Sequence, residues 1–159
     1  MVGAIICGYQ GIGKSSLAQN ANGYIDLESG NFFVGGVRDK DWYIVYCNIA
    51  LHLARQGYRV FMSSHAVVRE YLASLPYNPD VHLITCFPSP DLKSEWIAKL
   101  EHRYEESRLD KDYRALMNAL DRYDENIAEL SNQKGFEKII ISDMNYDLQY
   151  LVDLFYRLK

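Results

Sequence analysis

Cysteine is scarce in this sequence of 159 residues, and the three that occur, Cys7, Cys47 and Cys86, lie far apart. Their spacing matches none of the paired patterns that bind zinc or iron–sulfur clusters. Each cysteine lies in an apolar segment, which is typical of a buried free thiol. The sequence therefore predicts no cysteine-based metal site, and it indicates a reducing compartment such as the cytoplasm.

Long apolar runs are also missing, since no stretch approaches the eighteen or so apolar residues that a membrane-spanning helix needs. The first apolar run, residues 2–7, is too short for a secretory signal and lacks a basic flank. Repeats, low-complexity tracts and linkers are absent too. We therefore expect a soluble, cytoplasmic protein without a membrane partner, which forms one domain over residues 1–159.

An excess of positive charge is the third feature that the sequence lacks. It has 17 lysines and arginines against 21 aspartates and glutamates, a net charge of −4. Such a balance argues against a broad nucleic-acid or acidic-membrane surface, although a local basic groove stays open. The oligomeric state is left open as well.

The most informative stretch is Gly8-Tyr-Gln-Gly-Ile-Gly-Lys-Ser-Ser16, in which residues 8–15 match the phosphate-loop pattern G-x-x-x-x-G-K-[ST]. Glycines let the backbone turn and approach an oxyanion closely, so that successive N–H groups form an anion-binding nest. Lys14 would reach the β- and γ-phosphates, and the Ser15 hydroxyl would bind Mg²⁺. The alternative is a glycine-rich turn without a ligand. We expect ATP and Mg²⁺ to bind here, at Gly8, Gly11, Ile12, Gly13, Lys14, Ser15 and Ser16.

The rest of the chain alternates short apolar runs with helical patterns. Predicted strands lie at 2–7, 24–28, 58–62, 81–87 and 138–142, with helices between and after them. One helix is expected over 39–56, with Trp42, Val45, Ile49 and Leu53 on its buried stripe. The order βαβαβαβααβα predicts an α/β fold whose five-stranded parallel sheet is covered by helices on both faces.

In its phosphate loop and element order, the chain resembles the small P-loop kinases of the nucleotide-kinase group, such as adenylate, shikimate and gluconate kinases. The resemblance implies a three-layer P-loop fold with strand order 2-3-1-4-5 and a phosphoryl acceptor across the strand ends from the loop. It also implies a lid between two late helices, here a small one near residues 103–114. Asp26-Leu-Glu-Ser-Gly30, Ser63-Ser-His65 and residues 103–126 further resemble nucleotide-kinase-like proteins of phages.

Asp26 and Glu28 follow the second predicted strand, at the edge where open α/β sheets place their ligands. Alternation along a strand puts both side chains on the same side. The resemblance implies that an acid here holds Mg²⁺ water or accepts the proton of the acceptor hydroxyl. The alternative is a solvated turn with two ordinary acids. We expect Asp26 to act in catalysis and metal binding, and both acids to bind substrate.

Ser63-Ser64-His65 follows the third predicted strand, where many P-loop enzymes carry a Walker B aspartate. Because this aspartate is absent here, we expect Asp26 instead to hold the water molecules bound to Mg²⁺. His65 would contact the acceptor or a phosphate, or cap the next helix. Arg69 suits a phosphate clamp because its guanidinium forms bidentate contacts, and Arg38 is a second arginine on the acceptor side. We expect His65, Arg69 and Arg38 to bind substrate.

Arginines cluster around the predicted break between two late helices, near residues 107–110. The resemblance implies that a lid supplies arginines that neutralise charge on the transferring phosphoryl group. Arg103 and Arg108 are the expected catalytic pair, with Arg114 third. The alternative is a solvated face, on which neighbouring acids pair with these arginines at helical spacing.

Together these features predict a phosphotransferase that moves the γ-phosphoryl group of ATP to a small acceptor, with a nucleoside monophosphate or nucleoside favoured. A neutral metabolite, or the 5′-hydroxyl of a polynucleotide, is an alternative acceptor. A regulatory ATPase or nucleotide switch without an acceptor is the alternative from another class. It requires a water-positioning residue and usually a Walker B acid, and the sequence has no firm instance of either.

Overall fold

A computed structural model describes residues 2–158 of the chain. Its centre is a sheet of five parallel strands, numbered here along the chain. Their bounds are β1 Gly3–Gly8, β2 Tyr24–Asp26, β3 Arg59–Met62, β4 Val81–Pro88 and β5 Glu137–Ile141.

The order of the five strands across the sheet is 2-3-1-4-5, as expected. β1 lies in the middle, where Ile5 pairs with Val60 of β3 and with Leu83 of β4. Every pairing in this sheet is parallel, so the carboxyl ends of all five strands meet at one edge. The ends of β1, β2 and β3 therefore lie together, which positions the candidate site.

Within residues 2–158, six α-helices connect or follow the strands. A short 3-10 turn (Ser29–Phe32) and a two-stranded hairpin (Phe33–Val34 with Val37–Arg38) come between β2 and the second helix. No helix within residues 2–158 is both long and apolar enough to cross a bilayer. The bounds of the helices are α1 Lys14–Asn20, α2 Trp42–Arg55, α3 Ala66–Ser74, α4 Lys93–Ser107, α5 Asp110–Ser131 and α6 Leu148–Arg157.

The core lies on both faces of the sheet, because alternate residues of β1 point to opposite sides. Ala4 and Ile6 belong to a buried cluster with residues of α4, α5 and α6. Ile5 and Cys7 belong to a second cluster with residues of α2 and α3. This continuous apolar run is typical of a central parallel strand covered on both faces. The expected three-layer α/β fold is confirmed.

The buried face of α2 differs from the expected stripe. Val45 and Ile49 are 54% and 39% exposed, whereas Ala50 and Ala54 are fully buried. The helix lies so close to the sheet that a Cβ at Gly3 would stand 2.0 Å from the carbonyl oxygen of Ala54. Small side chains permit this approach, so the helix turns Ala50 and Ala54 towards the sheet and Val45 and Ile49 outward.

Candidate active site

The phosphate loop has the conformation that its glycines allow. Gly11 and Gly13 have φ angles of 87° and 104°, in the left-handed region that other residues avoid. A Cβ at Gly11 would lie 2.9 Å from Leu100 Cδ2, and a Cβ at Gly8 would lie 2.4 Å from Ile12 Cδ1. These three positions therefore require glycine for conformation, for space or for both.

Two aromatic side chains hold the loop from outside. Trp96 Nε1 donates a hydrogen bond to the carbonyl oxygen of Gln10 at 2.9 Å, and the Tyr146 hydroxyl donates to that of Ile12 at 2.8 Å. Lys99 Nζ donates to the Tyr146 hydroxyl at 2.8 Å and lies 4.4 Å from the centre of the Trp96 ring. Because these contacts satisfy loop carbonyls, the loop keeps its shape without a ligand. Sequence reasoning missed all three side chains as site residues.

Lys14 points back into the loop, where Nζ donates to the carbonyl oxygen of Gly8 at 3.2 Å. Burial lowers the pKa of Lys14, the nearby Asp26 and Glu28 raise it, and the charge of Arg103 lowers it. The amine is thus a half-buried cation near two carboxylates and a second cation. Such a group binds an anion strongly, because it has already lost much of its hydration.

Asp26 ends β2 and forms a carboxyl pair with Glu28. Burial and the charge of Glu28 raise the pKa of Asp26 to about 6, a hydrogen bond with Glu28 adds to the rise, and Lys14 opposes it. Asp26 therefore takes up a proton at mildly acidic pH. Among residues 2–158 no group of three or more His, Cys, Asp and Glu side chains could hold a metal ion alone. The oxygens of Ser15, Asp26 and Glu28 nevertheless suit Mg²⁺, which usually keeps waters and phosphate oxygens among its ligands.

The Tyr46 hydroxyl, on α2, connects the segment after β2, which carries Glu28, to the segment after β3, which carries Ser63. This buried hydroxyl donates to the carbonyl oxygen of Leu27 at 2.7 Å and accepts from the backbone N–H of Ser63 at 2.9 Å. The ends of β2 and β3 are therefore held in a fixed relation. Nothing in the sequence distinguishes Tyr46 from the other tyrosines.

A cleft of about 720 Å³ lies at this edge of the sheet, over the phosphate loop. Lys99, Lys111 and Arg114 add positive charge to its wall, and the first two were not expected from the sequence as site residues. It brings together nine of the expected site residues: Gly11, Gly13, Lys14, Ser15, Ser16, Asp26, Glu28, His65 and Arg103.

A second pocket, of about 380 Å³, shares Lys14 and His65 with this cleft and extends between α3 and α5. Gly8 and Arg69 line it. Arg69 is only 5% exposed, and its guanidinium donates to the carbonyl oxygen of Ser64 at 2.9 Å and to Gln133. It also lies 3.5 Å from Glu129 Oε2, so its donors are largely occupied by protein groups.

His65 lies at the mouth of the cleft, exposed at its outer side and packed edge-on against Trp42. Its Nδ1 lies 2.7 Å from the Ser63 hydroxyl. Partial burial, the charge of Arg38 and more weakly those of Lys14 and Arg69 lower the pKa of His65. The ring is therefore neutral at physiological pH, and it suits hydrogen bonding better than charge neutralisation.

Two expected arginines do not line the cleft. Arg38 belongs to the hairpin, where its guanidinium stacks 3.7 Å from the centre of the Trp42 ring. Arg108 lies at the turn between α4 and α5, with a φ of 55°, and its guanidinium lies over the Tyr104 ring. Ile12 also lines neither pocket with its side chain, which is buried beneath the loop. Thus Arg103 and Arg114, rather than Arg108, contribute arginine charge to the cleft.

Comparisons with known proteins show which fold the chain shares. Neither a protein-family model nor a curated protein matches the chain. A gluconokinase from Sinorhizobium meliloti 1021 superposes with a TM-score of 0.52 at 15% identity, over 99% of this chain and 95% of the other. An uncharacterized protein from Eubacterium ventriosum ATCC 27560 gives 0.51 at 14% identity, over 99% and 97%.

The chain has the P-loop kinase fold. A shikimate kinase from Bacteroides thetaiotaomicron is also similar, at a TM-score of 0.49 and 18% identity over 99% of this chain and 96% of the other. At such identities the likeness shows the fold alone. Kinship with phage proteins and a cytoplasmic location stay predictions.

Proposed function

We propose that this protein is an ATP-dependent phosphotransferase that moves the γ-phosphoryl group of ATP to a hydroxyl or phosphate oxygen of a small molecule. The observation that carries the proposal is the cleft itself. There the phosphate loop with Lys14 and Ser15 lines the same cleft as the Asp26–Glu28 pair and Arg103. Phosphoryl transfer needs positioning and charge neutralisation, which this set of side chains supplies.

On the donor side, the loop N–H groups and Lys14 bind the triphosphate. Ser15 and Asp26 would hold Mg²⁺, directly or through water, and when bound the ion neutralises charge on the β- and γ-phosphates. A recess of about 500 Å³ adjoins the loop, between Leu17 of α1 and the segment 144–149. It receives the base of the nucleotide, since it opens on Gly13 and Ser16 beside the phosphates.

On the acceptor side, Asp26 orients the attacking oxygen. That oxygen forms a bond to the γ-phosphorus, the bond from this phosphorus to the bridging oxygen breaks, and ADP leaves with the electron pair. Where the acceptor is a hydroxyl, its proton passes to the Asp26 carboxylate or to water. A carboxylate within hydrogen-bond reach of the hydroxyl can act as its general base.

The favoured acceptor is a nucleoside monophosphate or a nucleoside. Ser63, His65 and Arg69 would bind either acceptor, since they line the second pocket together with Lys14 and none of them lines the base recess. A phosphate on the acceptor would compete with Glu129 for Arg69, whereas a neutral acceptor would use the serines and the imidazole. A gluconokinase shares this fold, which is compatible with a small acceptor of another chemical class.

The experiment follows the label of [γ-³²P]ATP into a panel of nucleosides, nucleoside monophosphates, sugars and a 5′-hydroxyl oligonucleotide. We expect one class of acceptor to be labelled by the wild-type protein, and labelling to be lost in Lys14→Ala and strongly reduced in Asp26→Asn. Lys138→Ala is the matched control, because Lys138 is exposed and makes no ion pair within residues 2–158. Hydrolysis without transfer to any acceptor, unaffected by Asp26→Asn, would favour a regulatory ATPase and overturn the proposal.

A further inference from the structure

Asp112, in the first turn of α5, is the one buried acidic side chain within residues 2–158, with 4% of its surface exposed. Burying an ionised carboxylate is costly unless hydrogen bonds or an opposite charge compensate for its lost hydration. Here Arg103 Nε forms an ion pair with Asp112 Oδ1 at 3.0 Å, and the Ser107 hydroxyl donates a hydrogen bond to Oδ2. Both carboxylate oxygens are thus used, and both partners come from α4.

The bond to Asp112 fixes one edge of the Arg103 guanidinium. No other hydrogen bond or ion pair of Arg103 occurs in the described part of the chain, so its two terminal nitrogens have no protein partner there. Arg103 lines the same cleft as Lys14, Lys99 and Ser15. Its charge lowers the pKa of both Lys14 and Lys99, which places the guanidinium near both amines. Arg103 thus adds a third cation to those of Lys14 and Lys99 in the cleft over the phosphate loop.

The corner between α4 and α5 is held by its own hydrogen bonds. The backbone N–H of Arg108 donates to the carbonyl oxygen of Tyr104 at 2.8 Å and ends α4 in a left-handed residue. The Ser107 hydroxyl accepts from the N–H of Leu109 at 3.2 Å while it donates to Asp112. Only two residues separate the helices, so this corner presents Arg103 to the cleft without a long lid.

We propose that Asp112 is a positioning residue that holds the Arg103 guanidinium over the phosphate loop, where its terminal nitrogens bind the terminal phosphate of a nucleoside triphosphate. The inference rests on the part of the proposed function that concerns triphosphate binding, and it does not depend on which acceptor is used. The Arg103 guanidinium is therefore oriented before the triphosphate binds, and binding does not have to order it. Pre-orientation matters for arginine, whose flexible side chain otherwise loses much rotamer freedom on binding.

The test compares the affinities of Mg²⁺·ATP and Mg²⁺·ADP by titration calorimetry in Asp112→Asn and in Asp110→Asn. Asp110 is the matched control, since it is an exposed acid in the same first turn of α5 and does not line the cleft. We expect Asp112→Asn to weaken ATP binding about tenfold and ADP binding by no more than about twofold. Asp110→Asn should change neither by more than about twofold. A merely structural defect would weaken both nucleotides alike, so the difference between ATP and ADP separates the two roles.

Two further variants keep the test decisive if Asp112→Asn unfolds. Arg103→Lys retains the charge but has one nitrogen, which cannot reach Asp112 and the phosphate together, so it should lose ATP affinity to a similar extent. In an Arg103→Ala background, Asp112→Asn should have no additional effect on ATP affinity. Equal losses for ATP and ADP, or additive effects of the two substitutions, would overturn the inference. If the wild-type protein shows no Lys14-dependent ATP binding, the proposed function fails as well.

Discussion

Asp26→Asn should stabilise the ligand-free protein while it impairs phosphoryl transfer. In the wild-type cleft, the carboxylate of Asp26 is partly buried beside Glu28, and these two effects outweigh the attraction of Lys14. The pKa of Asp26 is therefore about 6, above its ordinary value of 3.8. Asparagine is nearly isosteric with aspartate and carries no charge. It therefore removes both the cost of desolvating the carboxylate and its repulsion by Glu28.

The sign and the pH window follow from the raised pKa. A group whose pKa is higher in the folded state favours folding at low pH, and that contribution is lost as pH rises through the folded pKa. For Asp26 the loss begins near pH 4 and is complete above about pH 7. At 1.36 kcal/mol per pKa unit, a rise from 3.8 to about 6 corresponds to about 3 kcal/mol. Solvent in the open cleft screens the charges, so we expect a gain of about 1–2 kcal/mol for Asp26→Asn at pH 8.

The assay is urea unfolding of the wild-type and variant proteins at pH 5 and pH 8, without nucleotide or Mg²⁺. The gain in the free energy of unfolding at pH 5 should be about half of the gain at pH 8, since the wild-type carboxyl is then largely protonated when folded. Asp121→Asn is the control, because Asp121 is exposed on α5 and makes no ion pair within residues 2–158. Destabilisation by Asp26→Asn at pH 8, or a gain that does not depend on pH, would refute the reasoning.

Four other substitutions test the loop and the arginines. Gly11→Ala forces a left-handed φ on alanine and brings its Cβ to 2.9 Å from Leu100 Cδ2, so we expect a loss of about 2 kcal/mol, a fall in Tm of about 4–8 °C, and much weaker ATP binding. An unchanged Tm would show that the loop relaxes around the methyl group. Tyr146→Phe removes the hydrogen bond to the Ile12 carbonyl oxygen, so thermal unfolding should report a loss of about 1 kcal/mol and ATP affinity should fall a few-fold. Wild-type affinity in this variant would mean that Trp96 alone holds the loop. Arg103→Ala should lower kcat at least about 100-fold, whereas Arg108→Ala, whose side chain lies outside the cleft, should lower it less than about threefold in the same transfer assay. Equal losses in the two variants would mean that the corner rearranges to bring Arg108 to the phosphates.

The five parallel strands could be predicted from the sequence, because buried parallel strands are continuous apolar runs separated by segments of helical periodicity. Their order across the sheet was implied by the resemblance to P-loop kinases and not by these runs. The sequence was less reliable for α2, where hydrophobicity favoured Val45 and Ile49 but close packing at Gly3 selects Ala50 and Ala54 instead. Hydrophobic periodicity carries no information about how closely a helix approaches its sheet, which depends on the size of the small residues.

The hairpin at residues 33–38 was missed, although its signal is present. Gly35 and Gly36 have φ angles of 59° and 80°, and they connect two short segments that begin and end in Phe33 and Arg38. A Gly-Gly pair between apolar residues favours a two-residue hairpin turn with positive φ at both positions. None of the five strands predicted from the sequence covers either of these segments.

At the candidate site, motif and strand position were sufficient for the phosphate loop, Asp26 and Glu28, because each follows directly from local sequence. Arg103 and Arg108 are equally plausible in sequence, five residues apart, and only the corner that Asp112 and Ser107 build decides which of them faces the cleft. Lys99, Trp96 and Tyr146 reach the loop from distant elements. Such contacts depend on tertiary packing, and a single sequence contains no pattern that indicates them.

The central claim, that the triphosphate bound on this loop is a phosphoryl donor, is tested most directly by the fate of the γ-phosphoryl group. The measurement is the ratio of label recovered on an organic acceptor to label released as inorganic phosphate, in wild-type protein supplied with [γ-³²P]ATP, Mg²⁺ and the acceptor panel. We expect this ratio to be well above one for a single class of acceptor, and we expect Lys14→Ala to transfer no label. Label recovered only as inorganic phosphate, whatever the acceptor, would contradict it.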